Sequence, residues 1–173
     1  MRPDDDDYMG FVVARYARLV RAAVLFGSSR QDAEDAVQEA LIRCYSAWGR
    51  VSAADDRDAY VYRVLVNGIA RGWRRKWRGE IPYAVMPEPA PADDPAADLS
   101  LSHSVRASLA RLSSEQRQVL VLRYFADLTE AQIATVLAIA PGTVKSRASR
   151  ALAALSEDTS LNELIAGSHE EDR

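Results

Sequence analysis

Hydrophobic side chains recur every three or four positions along most of this chain, a spacing typical of helices with one apolar face. The pattern predicts a first helix that ends near Gly27, a second over about 33–48 and a third over about 58–78. An apolar run over 119–125 fits either a strand or a buried helix by spacing alone. The helix-start signal at 112–116 and the helical neighbours favour a helix. The sequence therefore predicts an all-α fold.

A segment rich in proline, alanine and acidic residues divides the chain. Five prolines fall within 82–95, and such a composition resists helix formation and cannot bury a core. We therefore predict two small helical domains joined by a Pro/Ala/acidic linker, with a helix-turn-helix in the second domain. The expected division is 1–80 for the first domain, 81–100 for the linker, 101–156 for the second domain and 157–173 for an acidic tail that we expect to be disordered.

The second domain has the pattern of a helix, a tight turn and another helix. Thr129 and Gln132 are spaced as a capping box at the start of the first of these helices. Pro141 and Gly142 are expected to break that helix, and the Thr143 hydroxyl is expected to cap the next one. The apolar positions that we expect to face the core are Val144, Ala148, Ala151, Leu152 and Leu155.

The opposite side of this last helix carries hydroxyl groups and cations. Arginine can bond guanine through two hydrogen bonds in the major groove, and hydroxyl groups can bind phosphates. The alternative is a plain helical bundle whose basic face is only solvated. The candidate contacts to duplex DNA are Thr143, Lys145, Ser146, Arg147 and Arg150.

Charge is segregated along the chain, although the net charge is only −3. Residues 71–80 and 104–155 each carry +4, whereas 81–103 carry −4 and 156–173 carry −5. Clustered positive charge guides association with a polyanion even when the total charge is slightly negative. The two basic segments are therefore compatible with a nucleic acid partner, despite the negative net charge.

The third predicted helix places cations on one face and tryptophans among them. Its spacing puts 63, 67, 71, 74 and 78 on one side. Cations can bind phosphates there, and an exposed aromatic ring can stack on an unpaired base. Alternatively, the tryptophans pack in the core, as we expect of Trp73, and the basic end complements the helix C-terminus. The candidate contacts to melted DNA are Asn67, Arg71, Arg74, Arg75, Lys76 and Trp77.

Several function classes are excluded by what the sequence lacks. Cys44 is the only cysteine, and its place on an apolar stripe indicates a core residue. With two histidines there is no convincing metal site, and no glycine-rich phosphate loop or nucleophile-base pair supports an enzyme or a cofactor. No apolar run approaches the ~20 residues that span a bilayer, so we expect a cytoplasmic protein.

Four segments, in this order, resemble one family. They are 32–41, 58–67 with the Trp-Arg segment that follows, 123–130 and 142–147. Together they resemble bacterial RNA polymerase sigma factors of the extracytoplasmic-function (group 4) type, specifically the actinobacterial SigE-like group. The resemblance covers about residues 8–156.

The resemblance implies a protein that binds core RNA polymerase and directs promoter-specific initiation, with no catalysis of its own. It implies that the second helix docks on the polymerase clamp, although helix-dipole stabilisation alone would also account for acids near its start. It further implies contact with the polymerase flap and promoter DNA, an anti-sigma factor as regulator, and a monomer within the holoenzyme. The implied polymerase contacts are Asp32, Asp35, Gln38 and Glu39.

The resemblance assigns the two promoter elements to different parts of the chain. The third helix would bind and open the minus-ten element, and the extended tract over 50–58 would capture a flipped base. The last helix would bind the minus-thirty-five element. Ala138 stands where the family often has a helix-ending glycine. The alternative function is a stand-alone helix-turn-helix regulator, but no strong pattern sets a two-fold interface.

Overall fold

The computed structural model describes residues 3–77 and 103–156, and within these ranges every regular element is an α-helix. This confirms the predicted all-α fold class. The predicted linker and acidic tail, and the side chains of Lys76 and Trp77, lie outside the described residues. The helices are α1 (Pro3–Leu25), α2 (Arg30–Ser46), α3 (Trp48–Ser52), α4 (Arg57–Trp77), α5 (His103–Arg111), α6 (Ser114–Tyr124), α7 (Glu130–Leu137) and α8 (Pro141–Ser156).

Side-chain caps fix where three of these helices begin. The Ser29 hydroxyl accepts a hydrogen bond from the Asp32 amide at the start of α2. Capping boxes open α6 at Ser113 and α7 at Thr129, each completed by a glutamine three residues later. Such caps satisfy amides that have no partner within the helix. The predicted starts near 113 and 129 are confirmed.

The N-terminal half, residues 3–77, has one helix more than the three that we predicted. Ala47 has φ −120° and ends α2, so Trp48 begins the separate short helix α3. Trp48 is buried, and its indole Nε1 donates to Asp7 Oδ2 at 3.2 Å. The tract over 50–58 is therefore partly helical rather than extended throughout.

The C-terminal half, residues 103–156, contains α5 in addition to the predicted helices. Helix α6 explains why spacing could not classify the apolar run, because four consecutive residues are buried there. Their neighbours come from different sides, since α6 lies against α1, α7 and α8. The four buried residues are Val119, Leu120, Val121 and Leu122.

The two halves share one hydrophobic core. Helix α4 packs against α7 of the helix-turn-helix as well as against α2. Leu65 of α4 and Ile133 of α7 are fully buried members of the same cluster. The surfaces discussed below are therefore presented by helices whose inner faces are fixed.

Candidate nucleic-acid interface

The turn between α7 and α8 is closed by Ala138 in the left-handed region, with φ 54° and ψ 47°. Its amide donates to the carbonyl of Ala134, as in a common helix C-cap. Helix α8 then begins at Pro141, where proline needs no amide partner. The predicted capping role of Thr143 is wrong, because this residue already lies inside α8. Likewise, Ala138 ends α7, before Pro141 is reached.

The outward face of α8 is formed by Lys145, Ser149 and Arg150, which are exposed. Ser146 is half-buried and accepts a hydrogen bond from Arg150 Nη2 at 3.3 Å. Thr143 is half-buried as well. Ser149 was missed by sequence reasoning, although it lies three residues after Ser146 and shares its side of the helix.

Arg147 is turned toward the neighbouring helix. Its Nη2 lies 2.9 Å from Glu115 Oε2 at the start of α6, and its side chain is 22% exposed. Arg147 thus lies at the border between the core and the open face of α8. A DNA contact by this arginine must compete with Glu115 for the guanidinium.

One predicted core residue of α8 is on the surface. Val144, Ala148 and Ala151 are buried as expected, but Leu152 is 44% exposed. Leu152 lines an apolar groove between α5, α6 and α8 together with Tyr124, which is 57% exposed. The helical spacing was correct, but no neighbouring segment covers Leu152 among the residues that the structure describes.

Helix α4 displays a ridge of polar side chains. Arg63, Asn67, Arg71, Arg74 and Arg75 are all exposed along it. The Nε of Arg74 donates to the carbonyl of Ala70 at 3.3 Å, which anchors that side chain on its own helix. The described members of the predicted set for melted DNA are therefore brought together on α4.

Trp73, on the other side of α4, is half-buried against the core. This confirms that the first tryptophan of the basic segment packs inward. Aromatic stacking on a base, if it is supplied by this segment, must come from another residue.

The acidic residues of α2 are divided between the helix start and its open side. Asp32 is half-buried beside Ser29, whose hydroxyl donates to Asp32 Oδ2 at 2.8 Å. Asp35, Gln38 and Glu39 are exposed. Asp32 thus serves the cap, whereas the other three form an open surface.

An apolar extension of this surface was missed by sequence reasoning. Ile42 is 66% exposed and Tyr45 is 47% exposed, in line with Gln38 on α2. With Tyr8 and Met9 of α1 they line a shallow groove. The available signal was that Ile42 and Tyr45 fall outside the apolar stripe of α2.

Cys44 is fully buried, as predicted for a core residue. Burial raises the pKa of its thiol to about 11, so the thiol stays protonated at neutral pH. In the described ranges no group of three potential ligands could hold a metal ion. No helix there is long and apolar enough to cross a membrane.

Comparison with known proteins identifies the family. The model for Sigma-70 region 2 matches residues 12–79, and the model for Sigma-70 region 4 matches 102–155. The RNA polymerase sigma-E factor of Streptomyces coelicolor is 34% identical over 164 residues, covering 92% of this chain and 90% of that protein. The ECF RNA polymerase sigma factor SigM of Mycobacterium tuberculosis is 31% identical over 140 residues, covering 81% and 70%.

A solved structure has the same arrangement of helices. The sigma factor RpoE of Bartonella quintana, in complex with the anti-sigma factor NepR, superposes with a TM-score of 0.76 at 25% identity. The superposition covers 87% of this chain and 95% of that one. The chain belongs to the sigma-70 family, and it is an RNA polymerase sigma factor of the extracytoplasmic-function type. The family predicted from the four sequence segments is confirmed.

Proposed function

We propose that the chain binds core RNA polymerase through α2, and promoter DNA through α4 and α8, so that the holoenzyme initiates at specific promoters. The observation that carries this proposal is the separation of three exposed helix faces with different chemistry. One is acidic with an apolar border, one is basic, and one combines cations with hydroxyl groups. The chain contributes binding energy, and nucleotide chemistry belongs to the polymerase in the cytoplasm.

The polymerase contact is proposed for the acidic face of α2 and its apolar border. Asp35, Gln38 and Glu39 would supply charge complementarity to a basic partner, which increases the association rate and selects the orientation. Ile42 and Tyr45 would supply the desolvated centre, since large apolar and aromatic side chains carry most of the energy in such interfaces. The clamp of the polymerase is the proposed partner here.

A second polymerase contact is proposed for the groove between α5, α6 and α8. Exposed Tyr124 and Leu152 give this groove an apolar lining. An amphipathic helix of the flap would bury that lining in the way helices bind hydrophobic grooves. This contact also accounts for a leucine left open on α8.

Promoter DNA is proposed to contact two separate surfaces. The ridge of α4, with Arg71 and Arg74, would hold phosphates of the melted minus-ten region. The outward face of α8 would enter the major groove at the minus-thirty-five element, with Lys145 on phosphate and Arg147 on a base. An anti-sigma factor as regulator is proposed as well, supported by the complex of the Bartonella relative.

The proposed polymerase contact is tested by reversing charge on α2. The double variant Asp35→Lys and Glu39→Lys should weaken association with core polymerase at least about 10-fold, because truncating or reversing contacts in a charged interface costs a kcal/mol or more. Association is measured with fluorescently labelled chain and purified core enzyme, and run-off transcription is measured in parallel.

The matched control is Asp55→Lys, which reverses an exposed acid in the loop before α4. It should leave core binding within about two-fold, since this residue lies outside α2 and outside both proposed polymerase contacts. Unchanged affinity of the α2 variant, with normal helical content, would remove α2 from the interface. Promoter binding by the chain without core polymerase would instead favour a stand-alone regulator.

A further inference from the structure

The loop between α3 and α4, residues 53–56, is held at both ends by one carboxylate of α1. Trp48, at the start of α3, donates through its indole Nε1 to Asp7 Oδ2 at 3.2 Å. Arg57, the first residue of α4, donates through Nη1 to Asp7 Oδ1 at 3.0 Å and to Oδ2 at 3.1 Å. Asp7 therefore joins a residue before the loop to a residue after it, although it lies 41 and 50 positions earlier in the chain.

Arg57 makes two further contacts that close the loop. Its Nε donates to the carbonyl of Ser52, the last residue of α3, at 3.4 Å. Its guanidinium carbon lies 5.7 Å from the centre of the Trp48 ring, within the range of a cation–π contact. One planar group thus contacts α1 and both ends of α3, and this set of contacts suits the rigid donor fork of arginine.

Trp48 fixes α3 against α1. Its side chain is only 4% exposed. The centres of the Tyr8 and Phe11 rings of α1 lie 5.1 and 5.4 Å from the centre of its ring. Val51, one turn later in α3, is fully buried. The start of the loop is therefore set by packing on α1, and the Asp7 carboxylate adds the link to α4.

The tip of the loop is open to a ligand. Ala53 and Asp55 are exposed. Asp56 is engaged on both sides, since its Oδ1 accepts from the Ala59 amide at 2.9 Å and its Oδ2 accepts from Gln132. A tip of short side chains leaves backbone groups accessible. Such groups, together with a carboxylate, can bond the edge of a base that has left its stack.

The loop also lies in line with the polar ridge of α4. Arg63 is the first exposed cation of that ridge. Position 56 lies seven residues before it, which is two helical turns on the same side and about 10 Å along the axis. A melted strand whose phosphates follow the ridge toward the start of α4 would therefore reach the loop.

We propose that Asp7 is a positioning residue for promoter opening. Through Trp48 and Arg57 it fixes the loop 53–56 in the form that receives one unpaired base of the minus-ten element. Asp7 itself needs no contact with DNA. This role rests on the proposed function of α4, whereas the network of Asp7, Trp48 and Arg57 rests only on the contacts described above.

The exposure of the ion pair separates this role from a role in folding. The side chains of Arg57 and Asp7 are 40% and 48% exposed, and exposed ion pairs contribute little to the stability of a fold. Asp7→Ala should therefore keep its helical content and its midpoint of urea unfolding. The loop would no longer be ordered before the base arrives, and ordering it on binding weakens the contact.

The test removes bases from the DNA one at a time. Holoenzyme is assembled from purified core polymerase and the full chain, and it is bound to single-stranded oligonucleotides that carry the minus-ten element. Each oligonucleotide has one base replaced by an abasic site, which keeps every phosphate. With the original chain, one position should lose about 5-fold or more in affinity, as expected for a single captured base.

Asp7→Ala should bind the intact oligonucleotide about 5-fold more weakly than the original chain. The abasic site at the captured position should then cost less than about two-fold, because the base is no longer held. The effect of an abasic site at the other positions should stay unchanged. A residue with a merely structural role would not alter the profile at one position alone.

Two further variants complete the test. Asp6→Ala is the matched control, because it removes the same charge from a neighbouring exposed residue that contacts neither Trp48 nor Arg57. It should keep the original profile. Arg57→Gln should reproduce Asp7→Ala, and the double variant should be no weaker than either single one, since both remove the same network. Core affinity is measured for every chain, and oligonucleotide binding is measured at saturating core polymerase.

An unchanged abasic profile in both Asp7→Ala and Arg57→Gln overturns the positioning role. Uniform weakening at every position overturns it as well, since that result would place the effect on phosphate binding. A flat profile with the original chain overturns base capture by the loop, and the role of Asp7 with it. The proposed function of α4 is checked separately, because the Arg71→Ala, Arg74→Ala variant should weaken binding of every oligonucleotide alike. No weakening in that variant would contradict the α4 contact, whereas the profile of Asp7→Ala would still report on the loop.

Discussion

Single residues in unusual positions set the local geometry of the helix-turn-helix. Ala138 adopts a left-handed backbone conformation that is strained for any residue with a Cβ. The conformation persists because it ends α7 and lets Ile139 donate to the Ala134 carbonyl at 3.0 Å. The turn before α8 therefore holds Ala138 in a backbone conformation that alanine disfavours.

Replacing Ala138 by glycine should stabilise the fold by about 0.5–1 kcal/mol, because glycine adopts positive φ without steric cost. The measurement is the midpoint of urea unfolding. Ala131→Gly, on the exposed side of the same helix, should instead destabilise by about 1 kcal/mol. Replacing alanine by glycine would thus raise stability at 138 and lower it at 131, seven residues away. A loss of stability in both variants would contradict backbone strain at Ala138.

Glu115 and the proposed DNA contact compete for the guanidinium of Arg147. If it reads a base, Arg147→Ala should lose about 1–3 kcal/mol of discrimination at one position of the minus-thirty-five element. Transcription of a randomised promoter library by the variant holoenzyme measures this. A lower total output with the same sequence ranking would assign Arg147 to phosphate.

Glu115→Gln is the control for this prediction, because it releases Arg147 from its ion pair at 2.9 Å and keeps the side-chain shape. We expect this variant to keep the original sequence ranking and to bind promoters somewhat more tightly, since an acid is removed near the DNA. A ranking changed in the same way as in Arg147→Ala would show that Glu115 positions the arginine.

The proposed promoter contacts are divided between two helices, α4 and α8. The ridge of α4 and the outward face of α8 are separate basic surfaces, and each is too short to cover both elements. Helices of 21 and 16 residues are about 30 and 25 Å long at 1.5 Å per residue. We therefore expect the two helices to fail at different stages of initiation.

Changing Arg71 and Arg74 of α4 to alanine should impair DNA opening more than formation of the closed promoter complex, since these side chains face the proposed single-stranded region. Permanganate reactivity of unpaired thymines measures opening, and a mobility shift measures closed-complex binding. Arg21→Ala, an exposed arginine of α1, is the control. Equal losses at both stages would argue against a division between α4 and α8.

At the scale of the whole molecule, buried ionisable groups couple the shared core to pH. Burial raises the pKa of Tyr62 to about 12, and its hydroxyl has no hydrogen-bond partner in the described part of the protein. Burial likewise raises the pKa of the Cys44 thiol to about 11. Both groups are acids that the fold keeps protonated, so the unfolded chain releases protons first as pH rises.

Stability should therefore fall above about pH 9, where the unfolded thiol ionises, and more steeply above about pH 10, where an unfolded tyrosine ionises and the folded one does not. Each such group contributes up to about 1.4 kcal/mol per pH unit within its window. Tyr62→Phe should weaken this alkaline loss and leave stability at pH 7 similar or higher, as measured by urea unfolding at pH 7, 10 and 11. An identical alkaline loss in the variant would exclude Tyr62 as its source.

The sequence by itself determined the helical class, the helix starts at Ser113 and Thr129, the inward packing of Cys44 and Trp73, and the family. These features depend on contacts within a few residues, because capping and apolar spacing act over one or two turns. Four family-like segments in order added the specificity that no single motif had.

Only the tertiary structure decided the break at Ala47, the exposure of Leu152 and the pairing of Arg147 with Glu115. These features depend on which distant segment lies against each side chain, and spacing along one helix does not record that. The extreme cases are Arg18, which donates to the carbonyl of Phe125, and Arg117, which donates to the carbonyl of Phe26. These partners are 107 and 91 residues away along the chain. Local physics set the elements, and long-range packing set which faces of those elements remain open.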